Sequence, residues 1–275
     1  MTDLEFYKEQ GYLVKEQVLS SEEIEGLIAE TIKIFRGKRG EVEGLRDTSE
    51  MSDDEIFRMH NAIYHSHKIS DLFLSTISHP AITEILAEII SPNVKCMQSM
   101  IFCKPPGTPG QAWHQDEVPI PTRDKSLCGC WIALDDATLE NGCLWVIPGS
   151  NKPGLLYERK KQNDPRYDGV DQSYGHPYTD DDAIPVEVKA GSVVFFNGYL
   201  MHRSLKNETD DLFRRALVFH YMSAESWLPS GNIPDNRDIV MACGVDPYAD
   251  KGIASYTKPA IRWVSKEEKA EADDS

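Results

Sequence analysis

The chain has 275 residues, 40% hydrophobic, 27% charged and 9% aromatic, a composition that excludes disorder and fibrous repeats and is long enough to bury a sizeable core. Its 29 Lys and Arg against 45 Asp and Glu give a net charge of −16, and so acidic a surface repels phosphate backbones and anionic lipid, leaving a small molecule as the expected partner rather than nucleic acid or a membrane. There is no apolar run of the roughly 18 residues a membrane span needs, and Met1-Thr-Asp-Leu-Glu-Phe6 lacks the features of a secretory leader. Cys96, Cys103, Cys128, Cys130, Cys143 and Cys243 sit in apolar, strand-like contexts, so a cytoplasmic protein with reduced core thiols is expected.

From the N-terminus, Ser20-Ser-Glu-Glu23 reads as a capping box ahead of Ile24, Leu27, Ile28, Ile32 and Ile34 at near-helical spacing, which predicts a helix over about 21–36. The Gly-punctuated Arg36-Gly-Lys-Arg-Gly40 ends it, 41–54 reads as loop, and 55–90 reads as helical again with a break near His79-Pro80. From Val94 the texture changes to short β-rich runs, Met97 to Cys103, Leu127 to Leu134, Leu144 to Ile147, Val186 to Val188, Val193 to Phe196 and Ala216 to Met222, separated by Gly, Pro and Asn turns. That pattern predicts a mainly β fold with flanking helices, a jelly roll. The expected organisation is one domain over 1–275, with helices in about 1–90 on a β core in about 94–224 and a C-terminal extension in about 225–275. The long aperiodic interval 151–183 reads as a lid or pocket wall, and Lys266 to Ser275 as a frayed charged tail.

His114-Gln115-Asp116 puts an imidazole and a carboxylate at i and i+2, on one face of an extended segment, where they can grip one ion together. His202, just after the run Val193 to Phe196, can be returned to them by a jelly roll. Two histidines and one carboxylate on one side of a metal are the facial triad of non-haem Fe(II) oxygenases, with positions left open for a cosubstrate and O₂. In Arg214-Arg215-Ala216-Leu217-Val218-Phe219-His220, period 2 puts Arg214, Ala216, Val218 and His220 on one face and Arg215, Leu217, Phe219 and Tyr221 on the other. Arg214, beside a small residue, can hold a distal carboxylate in a bidentate pair, and Ser204 shares the face of His202 and can support it. The plainer alternatives are a surface strand pair for His114 and Asp116, a loop cap for His202, a salt bridge for Arg214, core packing for Trp113, Trp131 and Trp145, and a satisfied core histidine for His220.

The ordered set Phe6…Gly11-Tyr12-Leu13-Val14, Gln98-Ser99-Met100, His114-Gln115-Asp116, the block from Trp131 to Ser150, Gly191…Phe195-Phe196, His202-Arg203-Ser204…Asn207 and Arg214-Arg215-Ala216 resembles the phytanoyl-CoA dioxygenase family over roughly residues 4–224. The block from Trp131 to Ser150 is nearest to the domain-containing-protein type within it. The resemblance implies a double-stranded β-helix that uses Fe(II), 2-oxoglutarate and O₂, with His114, Asp116 and His202 as metal ligands. It implies that Arg214 pairs with the 5-carboxylate of the cosubstrate, that Ser204 is its hydroxyl partner, and that Met100 and Trp131 line the cosubstrate pocket. The interval from His202 to Arg214 is one residue longer than the family's usual one, which leaves Arg215 as a fallback, and Arg58 is a weakly aligned second basic contact. Related halogenases have a small residue in place of Asp116, so its presence implies hydroxylation. The competing readings are a metal-binding jelly roll without turnover, which has no need of Arg214, and a Zn²⁺ hydrolase, since the same ligands suit zinc. Five Lys and Arg against seven acids in 151–183 weigh against a CoA thioester and toward a small metabolite or natural product.

Overall fold

The helices begin where the sequence supplies a cap. In the computed structural model, which describes residues 1–59, 61–228, 239–251 and 257–263, α1 (Asp3–Gln10), α2 (Ser21–Phe35) and α3 (Asp53–Arg58) open on Thr2, Ser20 and Ser52. Each of these hydroxyls accepts from the backbone N–H three residues on, while Glu5, Glu23 or Glu55 reaches back to the cap, so two otherwise unsatisfied donors are met at each start. Helices α4 (Asp71–Ile77) and α5 (Pro80–Ile89) follow, and Pro80 in the first turn of α5 makes the expected break at His79-Pro80.

The strands are β1 (Tyr12–Lys15), β2 (Asn61–Tyr64), β3 (Val94–Lys104), β4 (Gln111–His114), β5 (Cys128–Ala133), β6 (Leu144–Val146), β7 (Arg159–Lys160), β8 (Gln172–Ser173), β9 (Ile184–Val186), β10 (Val193–Asn197), β11 (His202–Ser204), β12 (Arg214–Ser223), β13 (Val240–Cys243) and β14 (Ala260–Trp263). A major sheet runs β1-β10-β5-β12-β3-β2-β14 with β13 beside β3, a minor sheet runs β4-β11-β6-β9, and β7 pairs with β8. The fold is the expected jelly roll. The expectation of helix across 55–90 is corrected by β2, where Ile63 pairs with Ile101 and is fully buried; the ladder offered by β3 overrides a weak local preference. Strands β13 and β14 extend the same sheet, so part of the C-terminal extension is built into the β core. The tail from Lys266 to Ser275 lies outside the described residues.

Strand β12 separates two cores. Leu217, Phe219 and Tyr221 face the helices, packing in one cluster with Leu27, Phe35, Phe73 and Ile82. Ala216 and Val218 face the space between the sheets, with Trp131, Val194, Phe196 and Val146. Each large apolar side chain so buried contributes about 1.5–3 kcal/mol, and the alternation fixes which arginine of the Arg214-Arg215 pair looks inward. All six cysteines are free, five of them buried. No helix of the described residues is long and apolar enough to cross a membrane.

Candidate active site

The register of β11 against β4 puts His202 opposite His114, and Asp116 follows where the chain leaves β4. The three residues are buried and their ligand atoms lie within 4.8 Å of one another. His114 donates through Nδ1 to the carbonyl of Ala112 at 2.8 Å, and His202 to that of Leu200 at 2.9 Å. A carbonyl only accepts, so both Nδ1 atoms carry a proton, and each Nε2 is the atom left to ligate in the neutral ring. Both Nε2 atoms face Oδ1 of Asp116, at 3.6 and 3.7 Å. The other oxygen, Oδ2, lies 3.0 Å from Nε2 of His220 on β12. His220 is a buried histidine whose Nε2 partner is the carboxylate of the candidate ligand Asp116, fixing which oxygen turns toward the imidazoles, while its Nδ1 is buried without a hydrogen-bond partner.

Burial, with His202 as neighbour, pushes the His114 pKa down to about 3, so the imidazole is neutral and able to ligate at ordinary pH. Burial opposes ionisation of Asp116 too, yet the imidazoles of His202, His220 and His114 outweigh it and hold the carboxyl well below its usual range. Phe196 packs on His202 with ring centroids 4.7 Å apart. It has room to do so because position 129 is glycine: a Cβ there would meet the Phe196 ring at 2.3 Å. Two imidazoles and one carboxylate, each oriented by a second partner, fit a divalent first-row ion with coordination positions to spare.

Arg214 points between the sheets, 7% exposed, with its Cζ 5.5 Å from the centroid of the Trp131 ring. Its Nε is buried without a hydrogen-bond partner, and no ion pair to it is formed among the described residues. Burial brings its pKa down to about 10. Arg215, on the opposite face, is fully engaged: Nε and a terminal nitrogen clasp Asp135 at 2.8 and 2.6 Å, and the guanidinium lies over Phe57 at 4.7 Å. In the loop before Arg214 the fully buried Asn207 donates to the carbonyls of Lys104 and Leu212.

Met100 and Trp131 flank Val218 on the neighbouring strands β3 and β5 and face inward with it. Next to Arg214, Ala216 and Ala133 are cross-strand partners, two small side chains that leave space. Ser204 faces the same interior. Arg58 does not reach the site: it pairs with Asp54 at 2.6 Å and lies over Phe213, on the helical side with Arg215. A second cation buried beside Arg214 is its cross-strand partner Lys104, whose Nζ lies 3.2 Å from Ser204 Oγ. Sequence reasoning missed Lys104, although period 2 along Met100, Phe102 and Lys104 carries the signal.

The interval 151–183, expected to be a lid or pocket wall, carries β7 and β8 and covers the outer face of the minor sheet. Arg203 lies over Trp113 at 4.5 Å and Trp145 at 5.5 Å, and donates to Asp180 at 2.8 Å and to the Tyr167 hydroxyl at 3.2 Å. Trp113 and Trp145 are thus packing residues, as their plainer reading has it. Gln115, fully buried between two candidate ligands, donates to the carbonyls of Leu155 and Tyr199 at 2.9 and 2.8 Å and accepts from Tyr157 N–H at 2.9 Å. One amide therefore ties the start of the covering segment to the turn that carries His114 and Asp116.

The phytanoyl-CoA dioxygenase family model matches residues 7–216. Phytanoyl-CoA dioxygenase 1 of Oryza sativa subsp. japonica is 29% identical over 256 residues, covering 81% of this chain and 88% of that protein. Phytanoyl-CoA dioxygenase domain-containing protein 1 of Danio rerio is 30% identical over 270 residues, covering 82% and 92%. Among solved structures, the non-heme monooxygenase ThoJ superposes with a TM-score of 0.70 at 19% identity over 98% of this chain and 92% of that one. The epimerase SnoN, in complex with Fe3+, alpha ketoglutarate and nogalamycin RO, does so with a TM-score of 0.65 at 20% identity over 94% and 96%. The structural likenesses establish the same jelly roll, and the match of the family model over most of the sequence establishes more: the chain belongs to the phytanoyl-CoA dioxygenase family, a family of Fe(II)- and 2-oxoglutarate-dependent oxygenases.

Proposed function

We propose that this protein hydroxylates an aliphatic C–H bond of a small metabolite or natural product, consuming 2-oxoglutarate and O₂ and releasing succinate and CO₂. The observation that carries the reading is the pairing, inside one barrel, of a buried His-Asp-His set with the buried Arg214, which forms no ion pair among the described residues and whose Nε has no hydrogen-bond partner. His114, Asp116 and His202 would hold Fe(II), and Arg214 with Ser204 would hold the distal carboxylate of the cosubstrate. Bound there, iron with 2-oxoglutarate supplies the oxidising power: one oxygen atom of O₂ goes to succinate and the other to the substrate carbon.

The chain's own contribution is orientation and exclusion of water. The Ala112 and Leu200 carbonyls fix the imidazole tautomers, and His220 fixes the carboxylate oxygen. Trp131 and Met100 wall the cosubstrate space between metal and arginine. Asp116 fills the position a halide takes in related halogenases, which favours hydroxyl transfer. A non-catalytic metal site gives Arg214 nothing to bind, and a Zn²⁺ hydrolase needs no cosubstrate. The test is a substrate screen with anaerobically reconstituted Fe(II) protein, scored by succinate formation and by ¹⁸O from ¹⁸O₂ in the product. Succinate release that depends on Fe(II) and rises with a substrate supports the reading, whereas turnover with Zn²⁺ and without 2-oxoglutarate refutes it. Succinate release with a product lacking ¹⁸O keeps the oxygenase class and removes the hydroxylation.

A further inference from the structure

Lys104 and Arg214 face each other across the β3–β12 ladder, both nearly fully buried. Inside a protein two adjacent cations are costly unless an anion lies with them, and among the described residues no carboxylate stands within ion-pair distance of either. The Lys104 ammonium donates to the carbonyl of Leu205 and, at 3.2 Å, to Ser204 Oγ. An ammonium has three donors, and the third has no acceptor among the described residues. Gln111 N–H also donates to Ser204 Oγ, at 3.2 Å. With both lone pairs of that hydroxyl taken by donors, its own proton is left to be donated. Three donors, an ammonium, a hydroxyl and a guanidinium, thus share one end of the barrel interior without an acceptor.

We propose that Lys104 is a third anchor of the cosubstrate, forming with Arg214 and Ser204 a receptor for the distal carboxylate of 2-oxoglutarate. The proposal rests on the functional reading above. Lys104 also orients Ser204, since its hydrogen bond to Oγ is one of the two that turn the hydroxyl proton outward. Gly142 keeps the space beside the ammonium open, because a Cβ there would come within 3.0 Å of Nζ.

The test pairs a residue change with a ligand truncation. The full chain is loaded with Mn(II), a redox-inert stand-in for iron, and titrated calorimetrically with 2-oxoglutarate and with 2-oxopentanoate, which keeps the metal-chelating end but lacks the distal carboxylate. Lys104→Met should weaken 2-oxoglutarate roughly tenfold to a hundredfold, the scale of one charge-assisted hydrogen bond, and leave 2-oxopentanoate and Mn(II) binding unchanged. Lys104→Gln keeps a donor toward Leu205 and Ser204 without the charge, serves if the methionine variant melts early, and should show the same ligand-specific loss. Equal loss of both 2-oxo acids in the two variants makes Lys104 a structural prop and overturns the proposal, as does loss of neither. If wild-type protein binds 2-oxopentanoate as tightly as 2-oxoglutarate, no distal-carboxylate receptor exists and Lys104 anchors nothing. If wild type binds neither acid, the functional reading itself falls.

Discussion

Replacing Arg214 with leucine is expected to weaken cosubstrate binding and to stabilise the ligand-free fold at the same time. Burial brings the guanidinium pKa from an ordinary 12.5 to about 10, and at about 1.36 kcal/mol per pKa unit the buried charge costs about 3 kcal/mol. The lowered value belongs to a base, so the cost is present in full at any pH below the folded value and fades only as the pH rises from about 10 to 12.5. Leucine removes that cost but also removes the contact with the Trp131 ring, worth about 1 kcal/mol or more. The net gain is on the order of 1–2 kcal/mol, or about 2–4 °C in Tm per kcal/mol for a chain of this size. A charge-assisted hydrogen bond is worth about 1.5–3 kcal/mol, so 2-oxoglutarate should bind roughly ten- to a hundredfold more weakly. Differential scanning fluorimetry of the ligand-free protein and calorimetric titration of 2-oxoglutarate into the Mn(II)-loaded protein read the two effects. Arg215→Leu should do the opposite: it strands Asp135 and lowers Tm, while cosubstrate affinity stays close to wild type. An Arg214→Leu protein that melts lower than wild type, or that keeps its cosubstrate affinity while Arg215→Leu loses it, refutes the reasoning.

His220→Leu should weaken Mn(II) affinity by about 10–100-fold, the usual consequence of losing a partner that orients a ligand; unchanged calorimetric affinity would mean that Asp116 orients itself. Gln115→Met removes three hydrogen bonds to Leu155, Tyr199 and Tyr157 and should speed amide exchange across 155–158 well before β4 is affected, as mass spectrometry can check; unaltered exchange there would show that Arg203 and Asp180 hold the segment without it. Glu30, beside Arg39 at 2.5 Å and Ser70 at 2.7 Å, has its pKa lowered from 4.5 to about 2, chiefly by Arg39. A depressed carboxylate pKa stabilises the fold above pH 4.5, and that stability is lost as the pH falls toward about 2. Glu30→Gln should therefore cost on the order of 1 kcal/mol at pH 7, a figure kept low because Arg39 reaches water, and the difference between variant and wild type in urea melts should shrink as the pH is lowered through that window. A difference independent of pH would assign the loss to packing instead.

The sequence by itself determined whatever local period and local capping can encode. Ser20 and Glu23 fix the start of α2, the i, i+2 spacing puts His114 and Asp116 on one face, and period 2 along β12 sends Arg214 inward and Arg215 to Asp135. These features follow from backbone geometry within a few residues, so no distant partner is needed to read them. The resemblance of the block from Trp131 to Ser150 carried the jelly roll and the cofactors further than spacing alone. Only the tertiary structure decided what depends on strand register across the barrel. It brought His202 opposite His114, gave His220 the second oxygen of Asp116, and put Lys104 against Ser204. It also drew Asn61–Tyr64 out of a helical stretch onto the edge of β3 and returned β13 and β14 to the same sheet. Register is chosen by the sum of many non-local pairings as the sheets close on each other, and a single side chain, however distinctive, contributes too little to that sum to announce its partner in advance.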